Sequence, residues 1–318
     1  MSFALPIVSV IMPCFNQGAY LDEAVGSVLA QTCESFEIIV INDGSTDEET
    51  VRILEKYDNP EWTVHNEQLL KSHEKPNLTV IHTPNRGPSA ARNTGIRQAK
   101  GRYILPLDAD DRIAPTYLEK AIAILDREPN VGIVYSQAEL FGDRTELFDL
   151  PPYSFPEILL GNMIVNTSLY RKADWEKVGG YNENMIWGWE DYDFWLSLIE
   201  LGREVVRIPE VLYFHRELPN SRSQQMTRDS WVKSYTQLFA NHSQLYSTHI
   251  STLFQELVNL RDDLHQTHCQ LHDLQAQLLR SQAMVSGMQS SKFWQLRNQW
   301  FKLKKRLGFK GGDDLFPV

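Results

Sequence analysis

The chain has 318 residues, a formal net charge of −10, 42% hydrophobic residues and 23% charged residues. This composition fits a soluble globular protein with a large core, and the acidic balance excludes a nucleic-acid-binding surface over the whole chain. The three cysteines form no CxxC pair, so no disulfide framework is expected. No run reaches the roughly 18 apolar residues of a spanning helix, and the N-terminus lacks the features of a signal peptide. We therefore expect a cytoplasmic protein, at most peripheral at the inner face of the plasma membrane.

Strands and helices alternate over the first hundred residues. Apolar runs predict strands over Pro6 to Met12, Phe36 to Ile41, Leu78 to His82 and Tyr103 to Leu107, with helices over Tyr20 to Gln31, Thr46 to Tyr57 and Pro88 to Ala99. This order predicts a doubly wound, mostly parallel α/β sheet with helices on both faces. In such sheets ligands bind beyond the carboxyl ends of the strands, where residues 13–16, 42–47 and 108–111 are polar. We expect these three stretches to meet at one edge.

The pattern is less regular after Val131. The sequence VGIVYSQ predicts another strand, and residues 142–168 predict an insertion on the substrate side of the sheet. Val205 to Tyr213 predicts an edge strand, because Pro209 interrupts it and proline cannot donate to a sheet ladder.

Three carboxylates, Asp108, Asp110 and Asp111, follow the fourth predicted strand. Alternate residues of an extended segment point to the same side, so Asp108 and Asp110 can face one ligand. Such a pair repels, which raises one pKa, and a divalent cation removes the repulsion while it binds phosphate oxygens. One interpretation is therefore a Mg²⁺ or Mn²⁺ site that holds a diphosphate. The alternative is that Asp110 or Asp111 caps a helix that begins near Pro115.

A second acidic pair, Glu190 and Asp191, lies between aromatic residues in WGWEDYDFW, just before a helix with apolar spacing. A carboxylate against apolar rings has a raised pKa, which suits a general base. The alternative is that the two side chains only complement the dipole of that helix.

Four stretches occur in this order along the chain: VSVIMPCFNQGAYLDEAVGSVLAQT, FEIIVINDGSTDEE, NRGPSAARNTGIRQAKGRYILPLDADD and GGYNENMIWGWEDYDFWLSL. Together they resemble the family 2 glycosyltransferases over roughly residues 6–225. The resemblance implies a GT-A nucleotide-binding fold. It also implies transfer of a sugar from a nucleotide donor, usually a UDP-sugar, with inversion at the anomeric carbon. Inversion needs no nucleophilic Ser or Cys, so Cys14 is expected to be a core residue.

The resemblance implies a nucleotide pocket formed by Pro13, Phe15, Asn16, Asp43, Arg92 and Asp108. Asp43, in the strand-end DGS motif, would read the base, and Arg92 would lie near the base or the phosphates. Asp108 and Asp110 match the DxD motif of the family. In that motif Asp110 would ligate the metal, and Asp108 would contact the ribose or the metal.

The resemblance implies that Asp191, in the ED pair with Glu190, is the base that deprotonates the acceptor hydroxyl. Because the acceptor attacks opposite the leaving diphosphate, the base must lie across the sugar from the metal. A carboxylate pair distant in sequence from the DxD motif meets that requirement. The cation would offset the charge that builds on the leaving UDP.

Further candidates surround the diphosphate and the acceptor. His215 and Arg216 follow the last predicted strand, where members of the family often carry His or Arg. His215 is a candidate third metal ligand, and Arg216 and Arg222 are candidates to close over the diphosphate. A solvated loop is the alternative. On the acceptor side the candidates are Trp189 and Asn166, since residues 161–167 lie between the donor half and the acidic pair.

Leucines at spacings of four and three predict a coiled coil over residues 251–288, with a seam of Leu253, Leu257, Leu260, Leu264, Thr267, Leu271, Leu274 and Leu278. The alternative is one long helix that packs on its own domain. Residues 289–310 mix aromatic and basic residues, which predicts an amphipathic helix on an anionic membrane or, alternatively, one docked on the acidic body. The predicted division is a catalytic domain at 1–225, a helical connector at 226–250, the coiled coil, the basic helix and a tail at 311–318.

The sequence thus predicts a metal-dependent inverting glycosyltransferase. The basic tail is similar to tails on some bacterial, notably cyanobacterial, glycosyltransferases, which suggests cell-surface polysaccharide or glycolipid synthesis. The expected partners are a UDP-sugar, a saccharide or lipid-linked acceptor and a second copy of the chain, without nucleic acid. The alternative is a catalytically weak nucleotide-sugar-binding adaptor that acts through its coiled coil. Nucleotidyl transfer would require a Gly-rich phosphate loop with a Lys, and PCFNQGAY offers no such loop.

Overall fold

The structure is a computed structural model that describes residues 5–59, 78–219, 221 and 225–307. It divides into two compact units, Met1–Leu253 and Phe254–Val318. The predicted site residues of the described chain all fall in the first unit. Arg222 lies outside the described residues.

The described strands are β1 (Val8–Cys14), β2 (Phe36–Asp43), β3 (Leu78–Thr83), β4 (Tyr103–Pro106), β5 (Arg112–Ile113), β6 (Val131–Gly142), β7 (Glu146–Leu147), β8 (Leu169–Arg171) and β9 (Glu204–Glu217). The described helices are α1 (Gly18–Leu29), α2 (Glu48–Asp58), α3 (Pro88–Gln98), α4 (Tyr117–Arg127), α5 (Lys172–Val178), α6 (Glu190–Glu200), α7 (Arg228–Asn241), α8 (Ser243–Thr248), α9 (Ile250–Ser290) and α10 (Lys292–Arg306). A 3₁₀ turn covers Glu157–Leu160.

The strands form one sheet, whose order over the described residues is β3-β2-β1-β4-β8-β6-β9-β5, with β7 paired to β6. β1 runs parallel to both β2 and β4, and β2 runs parallel to β3. β8 is antiparallel to β4 and β6, whereas β6 and β9 are parallel. The predicted α/β fold with a mostly parallel sheet is confirmed.

The centre of the sheet is buried on both faces, which explains why its strands are continuous apolar runs. Val8, Val10 and Ile11 on β1 are inaccessible to solvent, as is Ile38 on β2. The predicted core position of Cys14 is confirmed, because its side chain is buried at the end of β1.

Helix α3 packs closely on this part of the sheet. A Cβ added at Gly95 would lie 2.6 Å from Ile41 Cδ1 and 2.9 Å from Ile11 Cγ2. The absence of a side chain at Gly95 therefore lets the helix approach β1 and β2. As a result the first turns of α3, which carry Arg92, lie at the carboxyl ends of the strands.

The last strand of the first unit differs from its prediction. We expected Val205 to Tyr213 to be an edge strand, and over Val205 to Leu212 the one described ladder partner of β9 is β6. The strand extends further, to Glu217, and β5 pairs with it only through Tyr213 and Phe214. Pro209 falls where the register with β6 jumps, since Ser136 pairs with Ile208 and Gln137 with Val211. Pro209 therefore lies at a register irregularity, on a stretch where β6 is the one described ladder partner of β9, as an edge position allows.

The segment between β6 and β8 is an irregular excursion from the sheet, with the short strand β7 and the 3₁₀ turn. Helix α4 begins at Tyr117 with Thr116 as its N-cap residue. Neither Asp110 nor Asp111 caps it, so the alternative that these carboxylates serve only as a cap is wrong.

Helices α7 and α8 belong to the first unit, in the region predicted to be a connector. Leu238 on α7 and Tyr246 on α8 are buried in the core of that unit. Leu253, on the first turns of α9, is also buried there and is 5% exposed.

The second unit contains most of α9, which is 41 residues long in total, and α10. The leucines of the predicted seam beyond Leu253 are exposed, from 50% at Leu257 to 71% at Leu264. Residues 308–318, with the predicted tail, lie outside the described residues. Among the helices that the structure describes, none combines the length and the hydropathy needed to cross a bilayer.

Candidate functional site

The carboxyl ends of β1 and β2 lie side by side, because Cys14 and Asn42 are in register. The loops that follow them are joined through Asn16, whose Oδ1 accepts hydrogen bonds from the backbone N–H groups of Thr46 (2.8 Å) and Asp47 (3.0 Å). Asn16 has a positive φ of 55°, a conformation that asparagine adopts more readily than most residues. Its side chain thus fixes the shape of the predicted nucleotide pocket.

The other two residues predicted to line the nucleotide pocket near the end of β1 differ in exposure. Pro13 is half-buried within β1, whereas the Phe15 ring is 44% exposed beside the loop. An exposed aromatic ring at a strand end is available to a flat ligand such as a base.

Asp43 ends β2 and organises the turn before α3. Its Oδ1 accepts from the Arg86 N–H (3.0 Å) and its Oδ2 from the Gly87 N–H (2.9 Å). Gly87 is the N-cap residue of α3 and has a φ of 85°, which favours glycine. The carboxylate therefore holds the loop that leads to Arg92, in addition to its predicted contact with the base.

Arg92 joins the two acidic clusters. Its Nη2 donates to Asp108 Oδ1 (2.9 Å) and its Nη1 to Glu190 Oε1 (2.8 Å), and the side chain is 4% exposed. The guanidinium also lies over the Tyr181 ring, with 5.6 Å between Cζ and the ring centroid. One buried cation thus connects the end of β4 to the start of α6, which are 82 residues apart in sequence (190 − 108).

The carboxylates after β4 are held close enough to perturb each other. Burial raises the pKa of Asp110 to about 7, and the neighbouring Asp111 and Asp108 carboxylates contribute to the rise. Burial also raises the pKa of Asp108, although the adjacent Arg92 guanidinium opposes the change. The ionised forms of these two carboxylates are therefore unfavourable in the site, and a bound cation would stabilise them.

These residues fit a divalent cation that shares its coordination with a ligand. Within the described part of the chain no three His, Cys, Asp or Glu side chains form a group able to hold a metal. Asp108 and Asp110 would therefore supply only part of a coordination shell. Mg²⁺ sites commonly combine one or two carboxylates with substrate phosphates and water, and this donor set matches that pattern.

The Asp111 carboxylate orients His215. Among the described residues, His215 does not form one metal-binding group with Asp108 and Asp110. Asp111 Oδ2 accepts from the Tyr213 hydroxyl at 2.5 Å and lies 3.2 Å from His215 Nδ1. Tyr213 and His215 are two residues apart on β9, so they point to the same side of the strand. Burial lowers the pKa of His215, but the Asp111 carboxylate outweighs it and the pKa rises to about 9.

Arg216, predicted to contact the diphosphate, is packed against the protein. Its backbone N–H donates to Asp111 Oδ1 (2.8 Å) and its Nε donates to the Asp110 carbonyl oxygen (2.9 Å). The guanidinium contacts Glu23 on α1 and lies between the rings of Tyr20 and Phe141, 4.6 and 4.3 Å from their centroids. The residue thus fixes the backbone of the DxD segment.

Asp191 lies in the first turn of α6. Its charge therefore also complements the helix dipole, as the alternative interpretation of the acidic pair requires. Its Oδ2 accepts a hydrogen bond from Asn162 Nδ2 at 3.2 Å. Burial raises its pKa to about 6, and the charge of Glu190 contributes to the rise. A carboxylate with this pKa can accept a proton near neutral pH, which is the property required of a general base.

Trp189 precedes the acidic pair in a left-handed conformation, with a φ of 66°. Such a conformation is uncommon for a bulky residue and occurs where the surrounding structure enforces it, often at functional sites. The ring contacts two residues of α7, with centroid distances of 4.6 Å to Tyr235 and 5.8 Å to Trp231. Tyr235 is 38% exposed and Trp231 is 50% exposed, so the three rings form an accessible aromatic surface next to Asp191.

The loop that holds Asp191 also holds this aromatic surface. The Tyr235 hydroxyl donates to the Leu160 carbonyl oxygen (2.8 Å), two residues before Asn162. In the same loop, the amide nitrogen and oxygen of Asn166 are buried and have no hydrogen-bond partner among the described residues. Buried polar groups are normally paired, so the unpaired amide of Asn166 is available to a ligand.

The sequence analysis did not identify Trp231 or Tyr235 as site residues. It placed Asp111 in the acidic loop and Asn162 in the segment on the acceptor side, without a role of its own for either. The alternation of Tyr213 and His215 on one strand is the signal that could have indicated a buried partner for both. The contacts of α7 had no comparable signal, because the helix lies beyond the predicted catalytic domain. A pocket of about 540 Å³ between α1 and α2, lined by residues such as Gly18, Arg52 and Lys56, is formed by none of the predicted site residues.

Comparisons with known sequences match the chain to two family models. The family described as glycosyl transferase family 2 matches residues 9–181, and the family described as the N-terminal domain of galactosyltransferase matches residues 153–218. An uncharacterized glycosyltransferase of Rickettsia prowazekii is 31% identical over 229 residues, which are 68% of this chain and 64% of that protein. The chondroitin synthase of Escherichia coli is 28% identical over 202 residues, which are 62% of this chain. The chain spans only 27% of the length of that synthase.

Two solved structures share the fold. S. aureus TarS in complex with UDP-GlcNAc has a TM-score of 0.54 at 23% identity, over 69% of this chain and 61% of that chain. The mannosyltransferase PcManGT from Pyrobaculum calidifontis, in complex with GDP-Man and Mn²⁺, has a TM-score of 0.54 at 20% identity, over 77% of this chain and 70% of that chain. These similarities agree with the predicted GT-A architecture.

Proposed function

Because the chain belongs to glycosyl transferase family 2, we propose that it transfers a sugar from a nucleotide-sugar donor to an acceptor hydroxyl with inversion. The observation that carries this proposal is the double ion pair of Arg92 with Asp108 and Glu190. A donor would bind at the strand ends, where Asp108 lies. The ion pairs connect these strand ends with the acidic pair that includes the proposed base. Transfer requires these two sets of groups to be in one site.

The donor would bind across the ends of β1, β2 and β4. The exposed Phe15 ring and the loop fixed by Asn16 would flank the base, and Asp43 would face it from the end of β2. We propose a UDP-sugar as the donor, since S. aureus TarS, which shares the fold, was solved with UDP-GlcNAc. The second neighbour was solved with GDP-Man, so GDP-sugars are the alternative to test.

Asp191 would remove the proton of the acceptor hydroxyl. The proton would pass to the carboxylate of Asp191 as the acceptor oxygen forms its bond to the anomeric carbon and the diphosphate leaves from the opposite face. Asn162 would keep that carboxylate oriented through its hydrogen bond of 3.2 Å. Glu190 would hold Arg92 in place and thereby keep the two halves of the site together.

A divalent cation, Mn²⁺ or Mg²⁺, would be held by Asp108 and Asp110. When bound, it would offset the negative charge of the leaving diphosphate. Arg216 would maintain the backbone of this segment through the Asp110 carbonyl, and Asp111 would hold His215 beside it. His215 as a third ligand is part of this proposal.

The acceptor would approach over the aromatic surface of Trp189, Trp231 and Tyr235. Aromatic rings with polar edges suit the faces of sugar rings, which are apolar while their edges carry hydroxyl groups. The unpaired Asn166 amide would hydrogen-bond the donor sugar or the acceptor. We propose a saccharide or lipid-linked saccharide as the acceptor, and the chondroitin synthase among the relatives favours polysaccharide synthesis.

The second unit would bring copies of the enzyme together and attach them to a surface. Helix α10 exposes Phe293, Leu296, Trp300 and Leu303, and Leu307 follows it, at spacings of three and four and from 48% to 77% exposed. Arg297 and Lys304 lie over aromatic rings of the same helix. This combination of aromatic and cationic side chains suits the inner face of an anionic membrane.

The test is nucleotide release from a panel of UDP-, GDP- and dTDP-sugars with Mn²⁺, with Mg²⁺ and with EDTA. We expect turnover of one donor that EDTA and Asp110→Ala abolish. The matched control is Asp149→Asn, an exposed carboxylate in the segment after β7, which should leave turnover unchanged. Calorimetry with UDP on the same preparations separates loss of binding from loss of chemistry.

The outcomes distinguish transfer from the adaptor alternative. Nucleotide binding without turnover of any donor, in the presence of a saccharide panel, would favour the nucleotide-sugar-binding adaptor. Absence of both binding and turnover would overturn the enzyme proposal. Turnover that is unchanged by EDTA would overturn the metal, while leaving transfer itself in place.

A further inference from the structure

The apolar seam of α9 is open to solvent from Leu257 onward. Leu253, the first residue of the predicted seam, is buried in the first unit and is not available to a partner. Beyond it, the heptad spacing continues past the predicted last leucine to Val285 and Met288, which are 52% and 54% exposed. The open seam thus covers residues 257–288, which is more than four heptads.

The seam has two kinds of position, which alternate along the helix. The a positions are Leu257, Leu264, Leu271, Leu278 and Val285, and the d positions are Leu260, Thr267, Leu274, Ser281 and Met288. Every a residue is apolar, whereas two of the d residues carry a hydroxyl group. We propose that residues 257–288 pair with the same residues of a second copy of the chain in a parallel, in-register, two-stranded coiled coil.

The hydroxyl groups favour the parallel orientation. In a parallel pair, d faces d, so Thr267 faces Thr267 and Ser281 faces Ser281 of the second copy, and each pair can share a hydrogen bond. In an antiparallel pair, d faces a, so both hydroxyls face leucine or valine in any alignment within the seam. A hydroxyl that faces leucine or valine can bond only a carbonyl of its own helix, whereas facing hydroxyls can also bond each other, and this favours the parallel pairing.

The same residues fix the register. A shift of one heptad in a parallel pair would place Thr267 against Leu260 or Leu274. A shift of two heptads would pair Thr267 with Ser281 but would leave two of the five a layers of each helix uncovered. Only the in-register alignment pairs both hydroxyls with hydroxyls and covers all five a layers.

The flanking charges favour the same arrangement. In a parallel pair, a g residue faces the e residue five positions later on the other helix. Glu256 would then face Arg261 of the second copy, and Asp263 would face His268. In an antiparallel pair aligned over the full seam, Asp263 would face Met284 and Arg261 would face Gln282. In the single chain Arg261 forms an ion pair with Asp262 of its own helix. The Arg261 side chain is 72% exposed, so it is free to form the pair with Glu256 of the second copy instead.

We propose two strands because Val285 at an a position, with Leu260 and Leu274 at d positions, has the branching that favours dimers. The other four a residues are leucines, so the mass in solution decides the number of strands. This inference rests on the proposed self-association and not on sugar transfer. Nucleotide release, measured on the same samples, reports separately on the proposed enzyme activity.

The test uses cysteine cross-linking of the full chain in a Cys269→Ser background, which removes the exposed cysteine of α9. Leu257→Cys and Leu278→Cys place single thiols at a layers 21 residues apart (278 − 257). We expect both variants to form covalent dimers under mild oxidation. Gln266→Cys, at an outer position of the same helix, is the matched control and should stay uncrosslinked.

Light scattering on the uncrosslinked chain gives the number of copies, and a dimer mass is expected. A cross-link in only one variant, or in neither while the mass is that of a dimer, would overturn the parallel register. A monomer mass at micromolar concentration would overturn pairing and would favour a seam covered by its own chain. A trimer mass would overturn the two-stranded state.

Glu256→Arg and Arg261→Glu test the charge pairs. Each single change creates repulsion in the parallel dimer, and we expect each to raise the dissociation constant several-fold. The double variant restores opposite charges and should recover the affinity of the unmodified chain. Failure of the double variant to recover would contradict the proposed pairing of these two residues.

Discussion

Arg92 and Asp108 form an ion pair with 2.9 Å between Nη2 and Oδ1, although the arginine lies on α3 and the aspartate follows β4. The other Nη of Arg92 holds Glu190 at the start of α6. The arginine is nearly inaccessible to solvent, and burial would lower its pKa, but the two carboxylates raise it well above the usual value. The cation therefore stays charged and keeps two carboxylates together that would otherwise repel.

Replacement of Arg92 by Met should destabilise the first unit strongly. Two carboxylates would be left close together without a counter-charge, and removal of one partner of a buried ion pair costs about 3–5 kcal/mol. Urea unfolding measures this loss. The matched control is Arg97→Met on the exposed side of the same helix, with an expected change of at most about 0.5 kcal/mol. A second change, Glu190→Gln, should recover part of the loss, and no recovery would argue against the shared ion pair.

Asp191→Asn should abolish transfer while nucleotide binding persists. The amide cannot accept the acceptor proton, and removal of a general base typically lowers kcat by about 10²–10⁴-fold. The side chain keeps its size and its contact with Asn162. Initial rates give the loss of turnover, and calorimetry with UDP gives the binding. Wild-type turnover in the variant would show that Asp191 is not the base.

The rate of the unmodified enzyme should fall in acid. The pKa of Asp191 is raised to about 6 by burial and by Glu190, and the base must be ionised to act. We therefore expect kcat to decrease as the pH falls through about 6. Asn162→Ala removes a hydrogen bond that favours the ionised form, so the acid limb should move to higher pH. The Asp149→Asn control should show an unshifted profile, and an unshifted profile for Asn162→Ala would remove Asn162 from the proposed role.

The sequence was sufficient to predict the sheet and the residues at its carboxyl edge. Strands β1 and β2 are uninterrupted apolar runs because they are buried on both faces, and this pattern is visible without a structure. A position of Arg92 near the base or the phosphates was implied by the resemblance. That it contacts both acidic clusters was not predictable, because no local pattern relates α3 to α6.

Other features required the structure because they depend on packing between distant elements. Asp111 was predicted as a member of an acidic loop, whereas it holds Tyr213 and His215 on β9. The contacts of Trp231 and Tyr235 with Trp189 depend on how α7 returns to the site. The edge prediction for β9 missed only its pairing with β5 at Tyr213 and Phe214, because a two-residue strand is too short to be seen in an apolar pattern.

Tyr213→Phe should destabilise the protein without removing any proposed ligand. The hydroxyl donates to Asp111 at 2.5 Å, and the carboxylate is buried. Loss of a donor to a buried charged group costs about 1–3 kcal/mol. Urea unfolding measures the loss. Because Asp111 positions His215, the affinity for Mn²⁺ in the presence of UDP should also weaken if His215 contributes to the metal. A destabilised variant with unchanged Mn²⁺ affinity would exclude His215 as a ligand.

His242 should make stability depend on pH through its contacts with two carboxylates of α6. Its Nδ1 lies 2.9 Å from Glu200 and its Nε2 lies 3.2 Å from Asp193, and the side chain is 2% exposed. Burial would lower its pKa, but the hydrogen bonds with these two carboxylates outweigh that effect, so the pKa is raised. Asn182 and Asn241 also donate to Asp193, at 2.6 Å each, and are neutral. The carboxylates are thus the only titrating groups that face His242 among the described contacts.

A histidine with a raised pKa in the folded state stabilises that state when it is charged. The contribution is complete below the unfolded pKa of about 6.5 and is lost as the pH rises through the folded value. His242→Gln should therefore lower the free energy of unfolding most at pH 6, by an amount on the order of one charge-assisted hydrogen bond, about 1.5–3 kcal/mol. The difference from the unmodified chain should shrink at pH 9. Urea unfolding at the two pH values measures it, with His265→Gln on the exposed α9 as the control. A difference that stays constant or grows with pH would mean that His242 is neutral in the folded protein and serves only as a packing residue.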